Sequence, residues 1–157
     1  MPLRTIAAVV ALALVGGVAR AQAAPPAPAS FVSLRQGGFV MSSIVLATME
    51  QAVAAGRGSQ SQAYTALGLS RWAHGLPMMF PAGSGEGETP LFTQARPAVW
   101  RDPAGFAKAA GAFGAATDQL VALAKADDTP GFKAQLARVS QACDACHAVY
   151  KDGPGGR

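Results

Sequence analysis

Cysteine, histidine, aromatic and charged residues are all scarce in this chain of 157 residues, which has two cysteines and two histidines. Aromatic residues make up 7% and charged residues 14% of the sequence, and the basic residues are scattered along it. A nucleic-acid-binding surface normally shows a basic patch or stripe, so nucleic acid is not an expected partner. Both cysteines fall within one short motif near the C-terminus. The chemistry of that motif occupies both thiols, so no structural disulfide is expected.

The motif is Cys143-Asp144-Ala145-Cys146-His147, and the Cys-x-x-Cys-His pattern is typical of c-type haem attachment. On a helix, residues three apart share one face, so both thiols can form thioethers to one porphyrin while the adjacent imidazole reaches the iron. A thioredoxin-like pair normally opens a helix after a strand, whereas this motif lies late in a helical pattern. A zinc site would need a fourth ligand, and the only other histidine is the distant His74. The spacing therefore favours haem over both alternatives.

The first residues have the composition of a secretory signal peptide. Arg4 precedes an apolar run from residue 6 to residue 18, which is too short to span a membrane, and small-x-small cleavage sites follow at residues 19–21 and 21–23. We therefore expect residues 1–23 to be removed and residues 24–157 to form one domain in the bacterial periplasm. No later stretch is expected to cross a bilayer, and no membrane partner is expected. Loss of Arg4 and Arg20 brings the formal charge of +4 closer to zero.

The remaining chain has helical periodicity in four segments joined by two short links and one long link. Residues 76–99 form the long link, which contains four prolines and is expected to cross the end of the bundle. This pattern predicts an all-α fold, an up-down-up-down antiparallel four-helix bundle with the cofactor in its core. The first two starts are expected at Ser30 and at Ser59 in a capping box. The other two are expected at Asp102, which precedes Pro103, and in the stretch Asp127-Asp128-Thr129-Pro130, which repeats the pattern of a cap followed by proline.

Apolar residues recur three and four positions apart in the first and last predicted helices. Two adjoining rows in the first helix predict a broad buried face. A single row in the last helix contains both cysteines, which are therefore expected to face the core. The rows are Phe31, Leu34, Gly38, Met41 and Val45, then Phe39, Leu46, Met49 and Val53, and in the last helix Phe132, Leu136, Val139, Cys143, Cys146 and Tyr150.

Taken together, these residues resemble the cytochrome c′ family, the class II c-type cytochromes, over nearly all of the expected mature chain. The resemblance is carried by the C-terminal position of the haem motif, by Arg35-Gln36, by Phe-Pro-Ala-Gly-Ser at residues 80–84 and by Arg-Pro-Ala-Val-Trp-Arg-Asp at residues 96–102. It implies one covalent haem c in a four-helix bundle that is often a homodimer packed through its first two helices. Members bind nitric oxide and carbon monoxide and exchange electrons with a redox partner.

The resemblance also implies roles for individual residues. Cys143 and Cys146 would hold the haem, and His147 would be the proximal iron ligand. Arg35 and Gln36 match the pair that contacts a haem propionate, and a guanidinium group suits a carboxylate because it donates two parallel hydrogen bonds.

Three further positions are implied around the haem edge. Thr93 and Gln94 match loop positions that reach it. Lys151 stands one helical turn after the proximal ligand, where the family has Arg or Lys, and its charge could tune the iron potential. A solvated lysine at the helix end is the alternative.

The distal position departs from the family pattern. It falls on Phe39, where other members carry Leu or Met, and a phenyl ring cannot ligate iron. Gly37 and Gly38 are interpreted as room for the haem or for a dimer partner. Met41 lies two residues on, about 200° further round the helix, so it points away when Phe39 points inward. We therefore expect five-coordinate, high-spin iron.

Two other functions compete with a gas-binding, electron-carrying cytochrome. A low-spin electron carrier with His/Met ligation would require a methionine at the distal position, but Met41 and Met49 are out of register. An enzyme such as a peroxidase would require a distal His or Arg to manage protons, and the sequence places none there. Enzymatic activity is therefore not expected.

Overall fold

The computed structural model describes residues 25–153, so the expected signal peptide lies outside the described residues. Within that range the regular structure is helical, with one isolated antiparallel bridge between Ala95 and Lys151. The α-helices are α1 (Pro28–Ala54), α2 (Ala63–Gly75), the short α3 (Ala98–Arg101), α4 (Pro103–Lys125) and α5 (Thr129–Tyr150), and the two 3-10 turns are Ser59–Gln62 and Leu76–Met79.

Four long helices, α1, α2, α4 and α5, form the predicted four-helix bundle. Helix α4 packs extensively along both α2 and α5, whereas α1 lies against α2 and α5 with smaller contacts. Each helix therefore contacts its two neighbours, as expected when short links join antiparallel helices. The main core lies between the four helices and consists of small and medium apolar side chains with two phenylalanines. Its buried members are Leu46, Met49, Ala66, Leu69, Ala73, Leu76, Phe113, Leu120, Val121, Ala124, Phe132, Leu136 and Val139.

The predicted cap at Asp102 and the predicted start of the last helix are confirmed, and Asp128 is the cap within the predicted stretch. Asp102 Oδ1 accepts a hydrogen bond of 2.9 Å from the amide of Gly105, and Asp128 Oδ1 accepts one of 2.9 Å from the amide of Gly131. A proline lies in the first turn of each helix, where the missing N–H is not needed. These local signals therefore fix the starts of α4 and α5.

The two predicted serine caps are wrong. Helix α1 begins at Pro28, before Ser30, and no side chain caps its N-terminus. Ser59 lies in a 3-10 turn and is fully buried, its amide donating to Thr129 Oγ1 at 2.9 Å and its hydroxyl lying 3.4 Å from Asp127 Oδ1. Tertiary partners just before and at the start of α5 therefore take the place of the local capping box.

The buried face of α1 differs from the expectation. Leu34 and Met41, both in the first apolar row, are 56% and 58% exposed. The buried residues are Val32, Arg35, Leu46, Met49 and Ala52, so the second apolar row is borne out at Leu46 and Met49. Because α1 is apolar around most of its circumference, its periodicity did not show that the first row would be partly exposed.

Helix α1 is also the one helix in the described range that is long and apolar enough to cross a membrane by length and composition. It has 27 residues and a mean hydropathy of 1.3 in its most apolar window, of which 17% is buried. These criteria concern length and composition only, so the expectation that no later stretch crosses a bilayer stays a prediction. In the fold, α1 packs on α2 and α5 and contains the buried Arg35, while its outer surface stays apolar.

The long link crosses the end of the bundle and is tied to the end of α5. The amide of Arg96 donates to the carbonyl of Tyr150 at 3.0 Å, and the amide of Asp152 donates to the carbonyl of Gln94 at 2.8 Å. The Arg96 guanidinium binds Asp152 Oδ1 at 2.8 Å and the carbonyl of Ala148 at 3.0 Å, which satisfies part of the C-terminus of α5.

His74, in the last turn of α2, joins α2 to α4. Its Nε2 atom lies 3.0 Å from both carboxylate oxygens of Asp118, and the hydroxyl of Ser70 donates to Asp118 at 2.7 Å. The hydrogen bonds from Ser70 and His74 lower the pKa of Asp118. Because its folded-state pKa is lowered, Asp118 stabilises the fold above its ordinary pKa, and this stabilisation is lost as the pH falls through the lowered value.

Asp118→Asn should therefore lower the free energy of unfolding at pH 7 by less than about 1 kcal/mol, because the pair is exposed. The difference from the unmodified protein should disappear when the pH falls well below the ordinary carboxyl pKa of 3.8. Urea denaturation across this pH range would measure it. Glu86→Gln in the exposed loop is the matched control, and an Asp118→Asn deficit that stays constant with pH would contradict the interpretation.

Candidate functional site

A cavity of about 790 Å³ opens between α1, α4, α5 and the long link. This volume lies in the range of pockets that enclose a small ligand or cofactor. Apolar and aromatic side chains dominate its walls, with a few polar groups near the link. The principal wall residues are Phe39 and Leu46 on α1, Phe106 and Phe113 on α4, and Cys143 and His147 on α5.

Helix α5 presents the whole Cys-x-x-Cys-His motif to this cavity. Cys143, Cys146 and His147 are all half-buried and all line it. The predicted row is confirmed, because Phe132, Leu136, Val139 and Tyr150 are buried on the same side of α5. Burial raises the pKa of the Cys146 thiol. The two sulfurs and the imidazole therefore lie together on an apolar wall, which suits covalent attachment of a flat hydrophobic group.

Arg35 is almost fully buried at the edge of the cavity, with 2% of its surface exposed. Its guanidinium donates to Ser84 Oγ at 2.9 Å, to the carbonyl of Ser84 at 2.6 Å, to Thr93 Oγ1 at 2.8 Å and to the carbonyl of Met79 at 3.3 Å. It also stacks over the ring of Phe80, 4.7 Å from the ring centroid. Arg35 thus connects α1 to three separate points of the long link.

All the hydrogen-bond acceptors around Arg35 are uncharged oxygens, and within the described range no carboxylate forms an ion pair with it. Burial lowers the pKa of Arg35. A buried charge is costly unless it is paired, so this edge of the cavity carries a positive charge that an anionic group would compensate. An acidic cofactor that enters the cavity would fit this edge.

The other predicted site residues surround the same cavity. Gln36 lines it and donates from Nε2 to the carbonyl of Phe92 at 2.8 Å. Thr93 is buried, Gln94 is exposed, and both line the cavity on the side of the link. Lys151 lines it just beyond the end of α5. The structure therefore brings together residues that are more than a hundred positions apart in the sequence.

Phe39 lines the cavity opposite α5, between two other aromatic groups. Its ring centroid lies 6.0 Å from the imidazole of His147, with 75° between the planes, and 5.9 Å from Trp72, with 90° between the planes. Both contacts are edge-to-face, a preferred geometry for aromatic pairs.

Neither of the nearby methionines reaches the cavity. Met41 is 58% exposed, and Met49 is fully buried in the main core. His74 lies on the outer surface beside Asp118. Among the described residues that line the cavity, His147 is the only histidine and there is no methionine.

Two side-chain contacts near the site could not have been identified from periodicity, although Tyr150 itself lies on the predicted row of α5. Ser84 is fully buried and holds both Arg35 and the carbonyl of Pro81, yet it lies in an irregular segment with no repeating pattern. Tyr150 donates to Asp102 Oδ2 at 3.3 Å across the end of the bundle. Burial and the nearby Asp102 carboxylate raise the pKa of Tyr150. Ser84 meets Arg35 only when the long link folds back onto α1, and Tyr150 meets Asp102 only when the start of α4 packs against the end of α5.

Comparison with known proteins identifies the same family throughout. Residues 30–151 match the family model described as Cytochrome C'. A cytochrome c' from Rubrivivax gelatinosus is 45% identical over 60 residues, which is 38% of this chain and 46% of that protein, so the match spans about half of the relative's length.

Solved structures are similar over more of the chain. The crystal structure of cytochrome c' from Rubrivivax gelatinosus covers 80% of this chain and 97% of its own, with a TM-score of 0.70 and 30% identity. A nitric oxide complex of a cytochrome c prime variant from Alcaligenes xylosoxidans covers the same shares, with a TM-score of 0.70 and 25% identity.

Proposed function

The chain belongs to the cytochrome c′ family, and from that premise we propose that it is a periplasmic monohaem cytochrome with five-coordinate, high-spin iron. It binds small gases such as nitric oxide and carbon monoxide and transfers electrons to or from a periplasmic partner. Covalent haem c is the cofactor of this family, and the chain carries one Cys-x-x-Cys-His motif. The observation that carries the proposal is a cavity with one histidine and no methionine among its described lining residues.

The motif on α5 supplies the attachment. Cys143 and Cys146 hold the haem, and His147 is the proximal iron ligand. When bound, haem iron supplies a one-electron couple and an axial position for a small gas. The proposal is supported by the position of all three side chains on the cavity wall. The apolar residues around them exclude water, which strengthens electrostatic effects on the potential.

Arg35 binds a haem propionate. Its buried guanidinium lies among neutral acceptors, so a carboxylate would compensate a charge that the described protein groups leave uncompensated. Gln36, Thr93 and Gln94 surround the same edge and supply further polar contacts. Lys151 adds a second cation at the cavity wall and contributes to the iron potential.

Phe39 covers the face of the haem opposite His147. Its ring cannot ligate iron, and it offers no hydrogen bond to a bound ligand. The surrounding wall is apolar, so small neutral gases are favoured over charged or polar ligands. The nitric oxide complex of the Alcaligenes xylosoxidans relative supports the choice of ligand.

The alternative functions have less support. A low-spin electron carrier with His/Met ligation needs a methionine in the cavity, and Met41 and Met49 lie elsewhere. A peroxidase needs a distal group that moves protons. Arg35 lines the cavity, but its guanidinium is hydrogen-bonded to Ser84 and Thr93 of the long link, so we do not assign it that proton-transfer role. We therefore propose ligand binding and electron transfer without enzymatic turnover.

The signal peptide and the location are part of the same proposal. Residues 1–23 have the charge, apolar length and small-residue sites of a secretory signal, and c-type haem attachment is typical of an exported protein. We propose that residues 24–157 form the mature periplasmic domain.

The exposed apolar side of α1 forms the interface of a homodimer. Leu34, Met41 and Ile44 are each more than half exposed, and they share one side of the helix. Gly37 lies on the same side, with no atom within 4 Å of the position that a Cβ would occupy. Tyr64, on α2, is 85% exposed. A contiguous apolar surface of this kind marks an interaction site, and a second copy of the chain presents a matching surface.

The absorption spectrum tests the iron ligation. The purified ferric protein should show a high-spin spectrum, and the reduced protein should bind carbon monoxide. Acid-acetone extraction should leave the colour with the polypeptide, because the thioethers to Cys143 and Cys146 are covalent. A Cys143→Ala/Cys146→Ala double variant is the control for covalent attachment. A low-spin ferric spectrum with the charge-transfer band of a methionine–iron bond would replace this proposal with the electron-carrier alternative.

Arg35→Leu should leave the haem attached but shift its reduction potential, because a charge-assisted bond to the propionate is lost. It should also lower the free energy of unfolding by about 3 kcal/mol, since Ser84 and Thr93 lose a charged donor in a buried site. Potentiometry and urea denaturation would measure the two effects. Arg71→Leu on the exposed side of α2 is the control. An unchanged potential across a wide pH range would exclude the propionate contact.

Met41→Glu should convert the dimer to a monomer, because it places a carboxylate in the centre of the apolar side of α1. Analytical ultracentrifugation across a range of protein concentrations would detect the change. Ala112→Glu places the same charge on the exposed side of α4 and should leave the dimer intact. A monomeric unmodified protein, or a dimeric Met41→Glu variant, would disprove this interface.

A further inference from the structure

We propose that Trp72 is a positioning residue that holds Phe39 over the open face of the haem, and that Gly38 is the residue that gives the indole its place. Trp72 thereby controls how readily a small gas displaces the Phe39 ring. The inference rests on the proposed function, because it takes Phe39 as the group opposite His147.

The contact between Trp72 and Phe39 joins α2 to α1 beside the cavity. The two rings meet edge-to-face at 5.9 Å between centroids and 90° between planes. A haem held by His147 would lie between the imidazole and the phenyl ring, so Trp72 is the aromatic neighbour that would remain beside Phe39 in the haem-loaded protein. The indole thus limits the directions in which the Phe39 ring can turn.

Gly38 explains why the indole can approach α1 so closely. A Cβ at position 38 would overlap three atoms of the six-membered ring of Trp72. Glycine is unfavourable in the middle of a helix, so its presence here calls for a packing reason, and the indole provides one. The adjacent Gly37 gives a useful contrast, because a Cβ added there would have no atom within 4 Å. The expectation that both glycines make room for haem or a partner is therefore corrected for Gly38.

The indole N–H of Trp72 indicates independently that this residue acts through its shape and not through a hydrogen bond. Trp72 Nε1 is buried, and within the described residues it has no hydrogen-bond partner. By contrast, the indole N–H of Trp100 donates to the carbonyls of Phe80 and Pro81 at 3.1 and 3.2 Å. Burying an unpaired donor is unfavourable, so the hydrogen-bonding ability of Trp72 is not what makes it useful here. Trp72 therefore contributes through the size of its indole ring, which packs against Gly38, and through the contact of that ring with Phe39.

The consequence concerns ligand entry. For a gas to occupy the position opposite His147, the Phe39 ring must move aside. Trp72 occupies space next to that ring, and Gly38 fixes Trp72 against α1, so displacement of Phe39 requires movement of the indole as well. Packed side chains resist such movement because protein interiors have few voids. The barrier to gas binding should therefore depend on Trp72 although Trp72 does not line the cavity itself.

A double-mutant cycle on the haem-loaded protein tests this inference. Carbon monoxide association after flash photolysis would be measured for the unmodified protein, Phe39→Ala, Trp72→Leu and the double variant. Trp72→Leu should speed association by about three- to tenfold, the range expected for loss of one aromatic pair. In the Phe39→Ala background, Trp72→Leu should have almost no further effect, because the ring on which it acts is absent.

Three matched variants separate positioning from general loosening of the fold. Trp72→Phe retains an aromatic ring but loses the N–H and the outer ring carbons that contact Gly38, so its rate should lie between those of the unmodified protein and Trp72→Leu. Trp100→Leu removes the other tryptophan and should lower stability without changing the rate. Gly38→Ala displaces the indole without removing it and should speed association; it also replaces Trp72→Leu in the cycle if that variant does not fold.

A crystal structure of the haem-loaded Trp72→Leu variant gives a readout that does not depend on ligand binding. The Phe39 ring should occupy a different rotamer or more than one, and its displacement should be smaller in Trp72→Phe. A Phe39 ring that is unmoved in Trp72→Leu would overturn the inference.

The outcomes distinguish the inference from the proposed function. If Phe39→Ala speeds carbon monoxide binding but Trp72→Leu does not, only the role of Trp72 is wrong. If Trp72→Leu acts equally strongly with and without the Phe39 ring, Trp72 does not act through Phe39. If Phe39→Ala itself leaves the rate unchanged, the placement of Phe39 opposite His147 is wrong, and both conclusions fail.

Discussion

The buried guanidinium of Arg35 is the interaction on which the shape of the site depends. It lies on α1, but its hydrogen bonds run to Met79, Ser84 and Thr93, which are spread along the long link. An irregular segment of this length has many alternative conformations, and a rigid donor with several fixed N–H directions selects one of them. With the link held in this way, the end of the bundle becomes one wall of the cavity, and the positive charge of Arg35 remains at its edge.

The remaining walls are built from aromatic contacts that converge on the same end of the bundle. Phe80 packs on Phe106 at 4.9 Å between ring centroids, and Phe106 packs on Tyr150 at 5.3 Å. This cluster joins the link, α4 and α5 beside the second cysteine of the motif. On the opposite side Phe39 and Trp72 join α1 and α2. The rest of the main core consists mostly of smaller side chains, so most of the large rings lie around the cavity.

Local signals predicted structure well where the interacting groups are neighbours in sequence. Asp102 and Asp128 cap their helices as expected, because a carboxylate two or three residues from an unpaired amide needs no tertiary partner. Ser59 carries a similar signal but is buried against Thr129 and Asp127, which compete for its polar groups. The prediction that the first apolar row of α1 is buried was wrong for a related reason, since a helix that is apolar on most sides can bury any of several sides.

By itself, the sequence determined the helical class, the four long helices, the attachment motif on a core-facing row of α5 and the family to which the chain belongs. These features follow from short-range periodicity and from a motif whose spacing is fixed by one turn of helix. Only the tertiary structure decided which side of α1 is buried, which residues hold Arg35, and that Gly38 accommodates Trp72. Those contacts join residues tens of positions apart, and their partners are selected by how the helices and the long link pack, which no local pattern specifies.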